Sequence, residues 1–351
     1  MKLFDSVWEM LTYDIGIDLG TANTLVFLRG KGIVVSEPSV VAIDKRSNRV
    51  LAVGAEARQM IGRTPANVVA IRPLRDGVIS DFDTTQAMIQ YLIRKAHAHF
   101  AKTFKLPRPR VIVGVPSSVT EVERQAVIDA SKTAGAREVF IVEEAMAAAI
   151  GAGLPVEQAS GSMIVDIGGG TSDIAVLSLG DIVVDKTIKI AGDEMDMDIV
   201  NYVREKYNIL IGERTAEDVK IAIGSASPLK EEKTIVLQGR DLISGLPKAV
   251  EFSSLELREA ISNSIDQITD AVKEAIEETP PELLTDLLTS GLHLAGGGAL
   301  ISGLDKRWQK QLNIPVKIVE DPLSAVARGT AAMLDHIELL ERVQKSWDEL
   351  V

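Results

Sequence analysis

The chain has no cysteine, and its 351 residues include only four histidines. Disulfides, thiolate nucleophiles and cysteine-based zinc or iron–sulfur sites are therefore excluded. His97 and His99 lie close in sequence but offer a metal only a lone imidazole pair. The absence of cysteine also fits a reducing, cytoplasmic setting. Basic residues are in deficit, 38 against 50 acidic ones, giving a net charge of −12. This argues against sequence-independent nucleic-acid binding, which needs a basic face, and rules out adhesion to anionic membranes by bulk charge. Long apolar runs are missing too. The longest, Ala145–Val156, is interrupted by glycine and proline. It falls well short of the ~20 residues that span a bilayer. Asp5 and Glu9 break any apolar core at the N-terminus, and no small-residue cleavage site follows, so no signal peptide is expected.

What is present is a repeat. Ile15-Gly-Ile-Asp-Leu-Gly-Thr-Ala-Asn-Thr24 and Met163-Ile-Val-Asp-Ile-Gly-Gly-Gly-Thr-Ser172 both run from an apolar strand through an aspartate into a glycine–threonine turn. Apolar runs at Leu25–Leu28 and Ile174–Leu177 follow, so each reads as a β-hairpin with a polar tip. Glycines at a strand end let backbone N–H groups approach a phosphate. Hydroxyls add donors, and an aspartate can hold a hydrated divalent cation. Asp18 and Asp166 stand 148 residues apart. That spacing points to two related halves closing on one polyphosphate.

The length predicts two domains of roughly 150 residues or more. Strands mixed with helices along the chain predict an α/β fold. The spacing predicts a helix over Asp81–Phe100, and a capping box at Thr120–Glu123 opens another to about Ala134. A second capping box, Ser253–Glu256, opens a helix reaching about Glu278. A final strand, Gly291–Ala295, ends in Gly296-Gly-Gly298.

The third glycine cluster, Leu294–Leu300, gains meaning from its order after the other two. With Val113–Pro116 and Ser324–Thr330, the set resembles the five signature motifs of the actin, Hsp70 and sugar-kinase ATPases. Further stretches narrow the match: Glu37-Pro-Ser-Val-Val-Ala42, Ile71–Val78, Met146–Gly151, Gly192–Asp196, Ile211–Glu217 and Pro280–Leu283. These closely resemble the MreB family of bacterial actins, from about Asp14 to about Leu334.

The resemblance implies an actin-like ATPase fold, two related α/β domains around a nucleotide cleft, each with a smaller subdomain. The domains would cover 13–155 and 156–335, between a membrane-binding segment at 1–12 and a C-terminal helix at 336–351. It implies ATP and Mg²⁺ as cofactors, with Asp18 and Asp166 bracketing the metal, mostly through water. Thr21, Ala22 and Asn23 match the first phosphate loop, and Gly168, Gly169, Gly170 and Thr171 the second. Glu217, Asp218, Val219 and Lys220 match the helix beside adenine and ribose, and Gly296, Gly297, Gly298 and Ala299 the loop over the adenosine. Glu144 and Thr171 match the pair that positions the attacking water. Two departures stand out: Ala145 replaces a usual proline, and Ser172-Asp173 a usual Thr-Glu. The implied function is a slow ATPase forming filaments, paired protofilaments included, at the inner face of the cytoplasmic membrane. Its implied partners are further copies of itself and the membrane proteins of cell-wall elongation.

Residues 1–11 carry Leu3, Phe4, Val7, Trp8 and Leu11 at three- and four-residue spacing. Two readings stand, an amphipathic helix docked on the protein or an interfacial membrane helix. Trp8 and Phe4 at a chain terminus favour the second. Phe104 and Leu106, among Lys102, Lys105 and Arg108, form a second candidate insertion point. Trp347, on a helix expected at Leu339–Val351, is a candidate oligomer contact. A chaperone reading would need a substrate domain, for which the residues after Thr330 leave no room. A sugar kinase would need a catalytic aspartate near the entry of the second half and a sugar pocket; no such pattern is evident, and the Val113–Pro116 motif leads to the pair Glu143-Glu144 instead.

Overall fold

Two five-stranded sheets repeat one arrangement. The computed structural model describes residues 13–75, 77–98 and 108–335. Leu3, Phe4, Val7, Trp8, Leu11, Phe104, Leu106 and Trp347 lie outside the described residues. The chain divides into two units. The first lies within Met1–Ser160, Leu177–Val183 and Leu323–Val351, the second within Gly161–Val176 and Val184–Pro322.

The first stretch of chain runs β1 (Asp14–Leu19), β2 (Asn23–Leu28), β3 (Gly32–Pro38), β4 (Val41–Asp44), β5 (Arg49–Val53), α1 (Ala55–Met60), β6 (Val68–Ile71), β7 (Leu74–Arg75) and β8 (Val78–Ile79). It continues through α2 (Phe82–Ala98), β9 (Arg110–Val115), α3 (Glu121–Thr133), β10 (Glu138–Glu143) and α4 (Glu144–Gly151). Next come β11 (Ser162–Ile167), β12 (Ser172–Ser178), β13 (Asp181–Ile188), α5 (Gly192–Tyr207), β14 (Ile209–Leu210), α6 (Glu213–Ile223), β15 (Thr234–Asp241) and β16 (Pro247–Ser253). The order closes with α7 (Ser254–Ala260), α8 (Ser262–Glu278), α9 (Pro281–Ser290), β17 (Leu292–Ala295), α10 (Leu304–Leu312), β18 (Val316–Ile318) and α11 (Ala325–Asp335).

The first large sheet has the order β10-β9-β1-β2-β3, and the second, from its other edge, β18-β17-β11-β12-β13. Strand β11 therefore stands where β1 does, and β17 where β9 does. In the first sheet β1, β9 and β10 are parallel, with β2 and β3 antiparallel beside them. In the second, β11, β17 and β18 are parallel. Parallel strands covered on both faces read as continuous apolar runs rather than alternating ones. Ile15, Ile17, Val111, Ile112, Val113, Met163, Ile164 and Val165 are accordingly all fully buried. Each unit also carries a small three-stranded sheet, β5-β4-β6 in the first and β14-β15-β16 in the second.

Local signals set the helix starts. Both capping boxes form, Thr120 with Glu123 and Ser253 with Glu256. Asp81 caps α2 by accepting the Thr84 N–H at 2.8 Å. The single helix expected from Ser253 to Glu278 is divided at Ile261, between α7 and α8. Ile261 is fully buried and its N–H still bonds the Leu257 carbonyl. The apolar period thus crosses the break unchanged, which hides it in the sequence. Helix α9, also unread from sequence, starts with Pro281 and stops at Gly291.

Helix α11 returns to the first unit and packs on α4, β1, β2 and β9. Its approach to α4 is backbone to backbone. A Cβ on Gly329 would overlap the Ala147 carbonyl, and one on Gly151 the Ala325 carbonyl. Overpacking of this kind costs ~1–3 kcal/mol or more. Gly329→Val is therefore expected to lower the unfolding free energy measured by urea titration by that amount, and an unchanged value would show that the helices have room to separate.

Candidate functional site

In the first unit the expected residues gather at the carboxyl ends of the parallel strands. The chain turns from β1 into β2 through Gly20, Thr21 and Ala22, with Leu19 paired to Thr24. Ser39 fixes this turn. Its hydroxyl donates to the Gly20 carbonyl at 2.5 Å and its N–H to the Ala22 carbonyl at 2.9 Å. In a trans peptide the C=O and the next N–H point opposite ways. The N–H groups of Thr21 and Asn23 therefore point away from Ser39, the polarity a phosphate requires. Thr21 is buried, Ala22 half-buried and Asn23 exposed.

Asp18 shares a rung with Gly114 of β9. Burial pushes its carboxyl up to about 7, although part of the side chain remains exposed. Glu144, the first residue of α4, is buried. A Cβ on Gly114 would lie 3.6 Å from Glu144 Cγ, so Glu144 sits over the strand that pairs with Asp18. Glu143 ends β10 and caps α4 without a side-chain bond to it.

The second unit assembles the other residues in the same way. Buried Asp166 pairs across to Ala295, just before the third glycine cluster. Gly296 has φ +76°, and a Cβ there would overlap the Asp166 carboxylate and the Ile167 carbonyl. Only glycine lets this loop lie on the aspartate strand. The turn Gly168–Thr171 is closed by the Gly168 N–H donating to the Thr171 carbonyl at 2.9 Å. Helix α5 begins on this turn, its Gly192 N–H donating to Gly168 O at 3.1 Å and its Asp193 N–H to Gly169 O at 2.7 Å. The N–H groups of Gly169 and Gly170 are thereby turned away from α5.

Lys220 of α6 has its ammonium 2.8 Å from Asp196 and donates to Gly192 O at 2.5 Å. It ties the helix expected beside adenine to the start of α5 and so to the phosphate turn. Burial pushes the Asp196 carboxyl up to about 7, against the lowering effect of Lys220. Glu217 lies one turn earlier on the face of Lys220. Val219 is packed into the core and Asp218 is exposed, so neither side chain shares that face. The Thr171 hydroxyl bonds Asp173, as does Thr187 at 2.5 Å, while burial pushes Asp173 up to about 6. Sequence reasoning gave no role to Ser39, Gly114, Gly192 or Asp196. Ser39 and Asp196 stood inside stretches already singled out, but their partners are distant in sequence.

A family model describing MreB/Mbl proteins matches residues 12–342. The chain belongs to the MreB/Mbl family. The cell shape-determining protein Mbl of Bacillus subtilis (strain 168) is 49% identical over 335 residues, covering 95% of this chain and 99% of the relative. The cell shape-determining protein MreB of Escherichia coli (strain K12) is 49% identical over 336 residues, covering 94% and 95%. Among solved structures, MreB5 of Spiroplasma citri bound to ADP superposes with a TM-score of 0.88 at 42% identity, covering 93% of this chain and 97% of that one. Its AMPPNP-bound form gives 0.87 at 40% identity, covering 97% and 99%. The architecture is the actin-like ATPase fold.

Within this MreB-like fold the departure at Ala145 is mild. It is the second residue of α4, where an N–H has no intrahelical partner, so proline and alanine both fit. Helix α4 still starts at Glu144.

Proposed function

We propose that this MreB-like chain binds Mg·ATP and assembles into linear filaments at the inner face of the cytoplasmic membrane. There it organises cell-wall synthesis and maintains rod shape, with slow hydrolysis coupled to polymer turnover. The observation that carries the reading is the repeated turn. Thr21–Asn23 and Gly168–Thr171 follow equivalent strands, each with N–H groups aimed outward and an aspartate just before it. The ADP and AMPPNP held by MreB5 support the same use of these loops.

In this reading the N–H groups of both turns bind the phosphates, and Gly296–Ala299 with Glu217 and Lys220 flank the adenosine. Glu144 orients the water, aided by Thr171 from the second turn. Asp18 and Asp166 hold Mg²⁺ mostly through water. The donor set suits it, since Mg²⁺ keeps several waters and takes only one or two carboxylates plus phosphate oxygens. Among the described residues no group of three acidic or imidazole side chains forms a separate metal cage. When bound, the ion supplies charge neutralisation at the phosphates.

A head-to-tail contact that does not close into a ring extends into a filament. No helix among the described residues is long and apolar enough to cross a membrane. Attachment in this reading comes from Leu3, Phe4, Val7, Trp8 and Leu11, with Phe104 and Leu106, repeated along a filament. Multivalency then converts a weak apolar anchor into firm binding. Electron microscopy and liposome co-flotation with Mg·ATP test the whole. Filaments are expected, floating with liposomes at low and high salt, and released when residues 2–11 are deleted. Monomers at micromolar concentration across several salts would overturn the reading.

A further inference from the structure

Three arginines converge on one carboxylate at the opposite, amino-terminal end of the first unit's parallel strands. Asp14 opens β1, Arg110 opens β9 and Glu138 opens β10. The register sets Asp14 opposite Arg110 and Arg110 opposite Glu138. Arg29 follows β2 and Arg137 precedes β10. Around the buried Asp14 carboxylate stand Arg29 Nη1 at 3.5 Å, Arg137 Nη2 at 3.8 Å and Arg110 Nη1 at 4.0 Å. Arg110 spends its Nε on Glu138 at 2.9 Å.

The cluster is over-supplied with donors. Arg110 Nη1 and Arg137 Nε and Nη2 are buried with no hydrogen-bond partner. Arg110 itself is 7% exposed. Buried guanidinium N–H groups without acceptors are costly and rare. Among the described residues Asp14 and Glu138 are the carboxylates paired with Arg110 and Arg137, and exposed Arg108 lies close in sequence. Arg29 has 42% of its side chain exposed, Arg137 15% and Arg110 9%.

Its position matters as much as its charge. The Asp18 rung lies four residues along β1, ~13 Å away at the usual strand rise. The cluster therefore does not belong to the nucleotide loops. Tyr13, next to Asp14, stacks on His97 with ring centroids 5.5 Å apart. Tyr13 follows residues 1–12 in sequence and His97 comes shortly before 99–107, the two segments that carry the candidate lipid contacts, and Tyr13 adjoins Asp14.

We propose that Arg29, Arg110 and Arg137 form a site for the phosphate of an anionic lipid headgroup. The proposal rests on the membrane reading above and adds lipid selectivity to it. A planar guanidinium matches the oxygens of a phosphate in paired hydrogen bonds. Arg137 Nε, and the Nη groups that stand too far from Asp14 for a hydrogen bond, supply such donors, and the neighbouring apolar segments would bring a bilayer surface to them.

The test uses the full chain with Mg·ATP and vesicles of phosphatidylcholine, alone or mixed with phosphatidylglycerol. Wild type should float several-fold better with the mixed vesicles. Arg29→Gln and Arg137→Gln should lose that preference while floating normally with phosphatidylcholine, which also shows that they fold. Wild type floating equally with both vesicle types, or both variants keeping the preference, would overturn the site and leave the membrane reading standing. A second arm measures thermal midpoints in saturating Mg·ADP, with inorganic phosphate replacing chloride at equal ionic strength. A rise that Arg137→Gln abolishes, together with the lost preference, supports phosphate recognition at this cluster. The same rise without flotation on any vesicle would overturn both the lipid source and the membrane reading.

Discussion

Glu144→Ala is expected to slow ATP hydrolysis by ~10²-fold or more, the scale of a lost acid–base group, while ATP remains bound. Glu144 is buried at the start of α4 and lies over Gly114, on the rung shared with Asp18. No phosphate contact is lost in the variant, because the loops that supply them are elsewhere. Single-turnover hydrolysis and nucleotide affinity measured side by side check this. Filaments of the variant should also persist longer, since hydrolysis is proposed to drive their turnover. Glu143 serves as the comparison. It caps α4 without a side-chain bond to the helix and is expected to tolerate alanine with little change. If Glu143→Ala alone stops hydrolysis, the assignment within the pair is reversed.

Asp166→Ala is expected to abolish productive Mg·ATP binding. A carboxylate that orients a metal's water shell is worth ~10–100-fold in metal affinity. Asp166 carries a second burden, because Gly296 lies directly against its carboxylate. Its loss therefore loosens the adenosine loop as well as the metal site. Asp166→Asn keeps the volume and removes the charge, which separates the two effects. The asparagine variant should keep the loop packed and still lose turnover at ordinary Mg²⁺. Normal ATP affinity and hydrolysis in the alanine variant would overturn the role of Asp166.

The candidate loops were readable from sequence wherever a loop announces itself by composition. Asp18-Leu-Gly-Thr21, Asp166–Thr171 and Gly296–Ala299 all follow strands in the structure, because glycines must stand where backbones approach closely. The capping boxes at Thr120 and Ser253 were equally local. Partner choice was not legible. Lys220 bonds Asp196 across 24 residues, and Ser39 holds a turn 17 to 19 residues before it. Nothing at those positions differs from an ordinary surface lysine or serine. Val219 and Asp218 show the same limit from the other side. Helical rotation sends them away from the face of Glu217 and Lys220, although all four are consecutive. The small sheet β5-β4-β6 was only partly read because β6, Val68–Ile71, is an apolar run of only four residues, half-buried throughout, too short to announce a strand.

The return of α11 to the first unit has a consequence for synthesis. Thr330 of that helix is buried against Gly16, so β1 meets one of its covers only near the end of the described chain. Chains emerge from the ribosome at ~5–20 residues per second, and domains usually complete in the order they are made. Here the order is inverted. The unit within Gly161–Val176 and Val184–Pro322 has all its residues before α11 exists. The amino-terminal unit, translated first, must wait with an apolar sheet uncovered. A nascent chain stalled before residue 325 should therefore leave β1 and β9 open to protease or chaperone, and release of the last turns of α11 should close them.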